Sequence, residues 1–159
     1  MIEVLKILEN DARISVEEIA EMTGKSKSEI EKIISELEES GVILGFKTMI
    51  NWEKIGVEKV YALIDLKITL DRDRGYDTIA ERIAKFPEVR SVRLVSGQYD
   101  ISVLVEGNTM KDVAYFVAEK IATLDQVRDT VTHFILKSYK EDGKILYEEE
   151  ENKRLVITL

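Results

Sequence analysis

Residues 15–30 read Ser-Val-Glu-Glu-Ile-Ala-Glu-Met-Thr-Gly-Lys-Ser-Lys-Ser-Glu-Ile and carry one signal twice. Ser15 stands three residues before Glu18, and Ser26 three before Glu29. In each pair the hydroxyl accepts the third backbone N–H while the carboxylate returns to the serine's own N–H, a reciprocal cap that starts a helix. Such a cap contributes about 1 kcal/mol, a large share of what a short helix has to lose. Val16, Ile19 and Ala20 form a buried stripe between the two starts. Thr23-Gly24-Lys25 breaks that stripe, with Gly24 suited to a left-handed C-cap.

Working outward, Met1, Leu5 and Leu8 mark one face of a first helix ending near Asn10-Asp11. Downstream, Ile30, Ile33, Ile34 and Leu37 recur at i, i+3, i+4, i+7, a single buried face, and Gly41 closes the third helix. Val42 to Ile50 is short, apolar and β-prone, the composition of a wing or connecting strand. Three short helices, the last two joined by a tight glycine turn, make a helix-turn-helix pattern for residues 1–50. The plainer alternative at this stage is any small helical bundle.

Residues 51–58 (Asn-Trp-Glu-Lys-Ile-Gly-Val-Glu) read as a linker, after which the period changes. From Val60 to Leu70 every even position is apolar, while Asp65, Lys67 and Thr69 hold the other face. This is a strand with one buried side. Ile79, Ala80, Ile83 and Ala84 restore helical spacing until Pro87. Val92 and Leu94, then Ile101, Val103 and Val105, mark two strands joined by Ser96-Gly97-Gln98-Tyr99-Asp100. Met110, Val113, Ala114, Val117 and Ile121 predict a further helix, and Val127 to Lys137 a fourth strand. The order β-α-β-β-α-β over residues 59–140 predicts a ferredoxin-like α+β sandwich, an antiparallel sheet with both helices on one face. Tyr61, Leu63, Val95 and Leu104 then point to the uncovered face, for which a second copy of the domain is the natural cover. Residues 141–159 form a C-terminal arm. It holds a turn at Glu141-Asp142-Gly143-Lys144, an acidic run at Glu148 to Glu151, and a candidate last strand at Leu155-Val156-Ile157.

Composition narrows the class. The 159 residues are 45% hydrophobic, enough for folded cores, and no apolar run is long enough for a membrane span. No secretory leader opens the chain, so a cytoplasmic location is expected. The lack of cysteine removes disulfides and thiol chemistry, and a single histidine, His133, argues against a metal site. The net charge is −8, and residues 1–50, with 6 basic and 11 acidic side chains, carry −5 of it. That is the wrong sign for a protein that neutralises phosphates, so any DNA contact must be argued from position.

The organisation resembles that of the Lrp/AsnC (feast/famine) transcription regulators. The resemblance covers roughly residues 1–140. It rests on Ile19-Ala20, Gly24-Lys25-Ser26, Leu37-Glu38-Glu39-Ser40-Gly41-Val42-Ile43, Gly45-Phe46, Pro87-Glu88-Val89, Gly97-Gln98-Tyr99-Asp100 and Thr130-Val131-Thr132. It implies a winged helix-turn-helix that binds double-stranded DNA and a domain that senses a small effector, an amino acid in many cases. It also implies a homodimer assembling to an octamer. No cofactor, metal or catalytic residue is implied.

Carried onto this sequence, DNA reading falls to the exposed start of the third helix: Lys25, Ser26, Lys27, Ser28, Glu31 and Lys32, with Lys47 from the wing. Lysines and hydroxyls reach phosphates there, and Ser or Glu meets base edges. The alternative is a solvated charged face. This stretch departs from the family in being less basic. The effector site falls on Gly97, Gln98, Tyr99 and Asp100, with hydroxyls from Thr130 and Thr132. A glycine loop offers backbone N–H groups to an amino acid's carboxylate, and Asp100 an acceptor to its ammonium. The alternative is an ordinary turn whose aspartate ties down backbone. His133 reads as structural. Two rival functions remain: a co-regulator that does not itself bind DNA, and a tetrapyrrole decarboxylase built on the same modules. For the decarboxylase, Arg82, Arg90, Arg93 and Arg128 make a poor anion pocket.

Overall fold

The computed structural model describes residues 1–70 and 75–147. Its internal contacts divide the chain into two units, residues 1–50 and residues 51 onward. In the first unit, α1 (Ile2–Asn10), α2 (Val16–Thr23) and α3 (Lys27–Glu39) follow the predicted punctuation. Both capping boxes form. Ser15 Oγ accepts from Glu18 N at 3.2 Å and Glu18 Oε2 from Ser15 N at 2.9 Å. The equivalent bonds of Ser26 and Glu29 are 3.3 and 2.8 Å. Gly24 caps α2 in the left-handed region at φ +67°, where a side chain would be strained. Val4, Ile19 and Ile30, one from each helix, are fully buried against one another, and each stabilises the unit by about 1.5–3 kcal/mol.

Past α3 the chain departs from expectation. Val42 and Ile43 both donate to the Leu37 carbonyl, at 2.9 and 3.0 Å, which closes the helix. The expected wing strand at Val42 to Ile50 pairs with nothing among the described residues, and Leu44 is 94% exposed. β-propensity expresses itself only where a neighbouring strand supplies a ladder, and the single chain supplies none here.

The second unit is a four-stranded antiparallel sheet in the order β2-β3-β1-β4. Its strands are β1 (Val60–Ile68), β2 (Val89–Leu94), β3 (Ile101–Gly107) and β4 (Val127–Ile135). Ala62, Ile64, Leu66 and Ile68 of β1 are buried with Ile101, Val103 and Val105 of β3. They pack against Ile79 and Ile83 of α4 (Tyr76–Ala84) and Val113 and Phe116 of α5 (Met110–Phe116). Phe86 meets Phe116 edge to face at 5.6 Å. Leu70, expected to continue the buried face, lies beyond the end of β1 and is exposed. Tyr61, Leu63 and Leu104 lie on the opposite sheet face and are only half-buried.

The helix expected through Ile121 widens after Phe116 into a π turn, Val117–Ile121. Phe116 and Ile121 are both buried although five residues apart. At about 100° per residue an α-helix would swing the second away from the core, and the wider turn brings it back. After β4, the short strands β5 (Lys140–Glu141) and β6 (Lys144–Ile145) form a hairpin. Its turn places Asp142 at φ +41° and Gly143 at φ +81°, both positive as an Asp-Gly hairpin turn requires. Residues 51–58 attach to this unit: Asn51 Nδ2 donates to the Leu146 carbonyl at 3.1 Å, and Lys59 Nζ lies 4.4 Å from the Trp52 ring centre. The acidic run Glu148 to Glu151 and the candidate strand Leu155 to Ile157 lie outside the described residues.

Candidate nucleic-acid interface and effector site

Helix α3 buries Ile30 and Leu37, so the opposite side carries Ser28, Glu31, Lys32 and Ser35, all exposed. This is the stripe that could face a groove. The sequence-derived candidates take different parts in it. Ser26 is occupied by the cap: its hydroxyl donates to Glu29 Oε2 at 2.6 Å and accepts from Glu29 N. Lys27 Nζ lies 2.5 Å from Glu17 Oε1 and 3.9 Å from Glu31 Oε1. These contacts raise the Lys27 pKa, through the Glu17 hydrogen bond first, and the same bond lowers that of Glu17. Lys32 is 77% exposed, with only a loose contact to Glu36 at 3.8 Å. Lys25 is exposed in the turn. Lys47 lies with Leu5, Leu8 and Phe46 around a shallow cleft beside α1, not on α3. Ser35, on the same exposed stripe, was not among the candidates; the helical spacing from Ser28 and Glu31 was its available signal.

In the second unit, the loop after β2 turns on Gly97 at φ +150° with no atom near where a Cβ would sit. Gly97 and Gln98 are exposed, and Tyr99 and Asp100 are half-buried. Asp100 continues the β1–β3 ladder past its last backbone pair. Its N–H donates to the Leu66 carbonyl at 2.9 Å, and its Oδ2 accepts from Ile68 N at 2.8 Å. Oδ1 accepts from Lys67 Nζ at 3.1 Å. The Ile68 N–H holds the Asp100 carboxyl below the usual aspartate range, with Lys67 and the Tyr76 hydroxyl adding to the effect. The side chain thus ties down β1 rather than its own turn, at the point where the β1–β4 register shifts between Lys67 and Ile68.

Thr130 and Thr132 lie opposite Leu66 and Ile64, so they face the helix layer. Ile101 is the partner of Leu66 on the other side. Thr130 and the loop therefore flank β1 at the same end of the sheet, roughly 10 Å apart at two strand spacings. One chain brings them to a common end but not into contact. His133 is exposed on the open sheet face, with Nε2 3.6 Å from Asp65 Oδ2. A separate cleft of about 400 Å³ opens elsewhere, lined by Glu88, Arg90, Glu106 and Asp112.

Both units match known family models. Residues 1–43 match a winged helix-turn-helix DNA-binding domain, and residues 61–145 the Lrp/AsnC ligand-binding domain. The chain is 48% identical over 157 residues to YugG, an uncharacterized HTH-type transcriptional regulator of Bacillus subtilis, covering 98% of this chain and 95% of that one. It is 32% identical to the HTH-type transcriptional regulator FL11 of Pyrococcus horikoshii, covering 89% and 91%. Among solved structures, the leucine response regulatory protein LrpA of Mycobacterium tuberculosis superposes with TM-score 0.74 at 26% identity, covering 91% and 96%. A transcriptional regulator of Neisseria meningitidis in complex with L-Met superposes with TM-score 0.71 at 24% identity, covering 88% and 90%. These relatives are regulators rather than enzymes, which removes the decarboxylase reading. With both units matched and a relative 48% identical along nearly its whole length, the chain belongs to the Lrp/AsnC family of transcription regulators.

Proposed function

We propose that this regulator binds double-stranded DNA through α3 and that a small effector, an amino acid, alters its assembly or its affinity for DNA. The observation that carries the reading is the exposed Ser28-Glu31-Lys32 stripe on a doubly capped helix-turn-helix, coupled in one chain to a ligand-binding domain. Lys25, Lys32 and Lys47 contact phosphates, Ser28 and Glu31 meet base edges, and Ser26 holds the helix start. Gly97, Gln98 and Tyr99 line the effector site, Asp100 receives the ligand's ammonium, and Thr130 and Thr132, at the same end of the sheet, offer further hydroxyls. The L-Met complex of the meningococcal regulator supports an amino acid as ligand. The half-buried apolar face at Tyr61, Leu63 and Leu104 supports a homodimer, and dimers assemble to an octamer. The working location is the cytoplasm, with residues 1–50 as the DNA-binding part, 51–58 as connector, 59–140 as sensor and 141–159 as arm.

Two measurements test the proposal. A thermal-shift panel of free amino acids should single out a ligand, since binding the native state adds RT ln(1 + [L]/Kd) to its stability. Fluorescence anisotropy over a salt series should show Lys32→Ala weakening binding to every duplex and flattening the salt slope by about one unit. A second reading, a co-regulator that binds no DNA itself, draws support from the −5 charge of residues 1–50 and the Lys27–Glu17 pair. Absence of salt-dependent binding would favour it.

A further inference from the structure

The free helix-turn-helix already supplies its own counter-charge. Lys27 is the first residue of α3, beside the position where a groove-bound helix meets the backbone. Its ammonium touches Glu17, in the first turn of α2, and a second carboxylate stands near it on Glu31. The starts of both helices, which would otherwise attract phosphate oxygens, carry further carboxylates: Glu18 in the Ser15 cap and Glu29 in the Ser26 cap.

Resting on the proposal that α3 contacts DNA, we infer that Glu17 is a specificity-determining residue which neutralises Lys27 and so holds down sequence-independent binding. The argument is one of counterions. A lysine that neutralises a phosphate releases condensed cations, and each such contact steepens log K against log [salt] by about 0.9. Lys27 already has an anionic partner. Trading Glu17 for a phosphate leaves a bare carboxylate that must recruit a cation, so the exchange releases almost nothing. Non-specific affinity, which consists of such releases, loses one contact. Contacts to base edges by Ser28 or Glu31 do not depend on counterion release and keep their full effect.

The test is Glu17→Gln, measured by anisotropy with a random-sequence duplex between about 50 and 300 mM KCl, the range where phosphate contacts dominate. The capping box uses Glu18, so the fold should hold, and circular dichroism checks it. Affinity at 100 mM should rise roughly two- to fivefold, the scale of an exposed ion pair, and the slope should steepen by about one. Glu38→Gln removes the same charge some 16 Å along α3, beyond a screening length, and should change affinity little. In a Lys27→Ala background the gain from Glu17→Gln should vanish. A gain no larger than that of Glu38→Gln, or one that survives Lys27→Ala, overturns the inference while leaving DNA binding by α3 intact. No binding by wild type or by any variant at about 50 mM KCl overturns the inference and the DNA-binding proposal together. Binding by Glu17→Gln alone supports both.

Discussion

Replacing Asp100 separates what the loop does for the fold from what it does for a ligand. The carboxylate accepts from Ile68 N at 2.8 Å and from Lys67 Nζ at 3.1 Å, with its side chain only 16% exposed. Asp100→Asn keeps an oxygen for the Ile68 N–H but removes the charge from both contacts. A hydrogen bond to a charged group contributes about 1.5–3 kcal/mol against about 0.5–1.5 for a neutral one, so the loss should be roughly 1–2 kcal/mol. Asp100→Ala also strands the Ile68 N–H, and should cost about 2–3 kcal/mol. For a unit of this size each kcal/mol moves the melting temperature by about 4–8 °C. The asparagine variant should therefore melt about 4–16 °C lower at pH 7, and the alanine variant lower still. The pH dependence has a definite sign. The folded Asp100 pKa is depressed, so its contribution is complete above the ordinary aspartate value near 3.9 and is lost as pH falls through the folded value. The difference between wild type and Asp100→Asn should close as the pH is lowered from about 4. Calorimetric scans from neutral to acid pH measure both effects. An asparagine variant as stable as wild type at pH 7, or a gap that persists at the lowest pH where both fold, would show that the Asp100 charge does not hold β1. If Asp100 also receives the effector's ammonium, the same variant should bind it roughly 10- to 150-fold more weakly.

Further expectations follow from individual contacts. A Cβ on Gly107 would sit 2.9 Å from Val113 Cγ2, so Gly107→Ala should cost about 1–3 kcal/mol in urea titrations. Adding Val113→Ala should recover part of that loss, and additive costs would contradict the steric account. Gly97 has open space but φ +150°, so Gly97→Ala should cost about 1–3 kcal/mol through backbone strain alone. Gly97→Val should cost a similar amount, and a much larger loss for Val would indicate a clash instead. Leu104→Glu, on the open sheet face, should give monomers at micromolar concentration by light scattering; an unchanged mass would place the dimer contact elsewhere.

Reach along the chain divides what was legible from what was not. Helix starts at Ser15 and Ser26, the left-handed stop at Gly24 and the hairpin turn at Asp142-Gly143 were readable because each is settled within three or four residues. Even-position burial in β1 and the β-α-β-β-α-β order were readable because pleat and helix periods are properties of the backbone. The resemblance then supplied the function. The expected wing at Val42 to Ile50 forms no ladder among the described residues, because a β-prone apolar composition does not by itself supply a pairing partner.

Position within the candidate sites belonged to the tertiary structure. Lys27 and Glu17 are ten residues apart and meet only because the glycine turn swings the start of α3 back to the start of α2. Asp100 reaches Ile68 across 32 residues, because the β1–β3 register ends one pair short of it. Thr130 and Thr132 carry the hydroxyls a ligand could use, but strand register sets which face of the sheet they occupy. Sequence alone determined where most helices, strands and turns begin and end, since those preferences are short-range; the wing at Val42 to Ile50 and the π turn after Phe116 were not among them. Which charge meets which, and which hydroxyl faces which layer, depends on register and packing between distant segments, where a shift of one residue reverses the face.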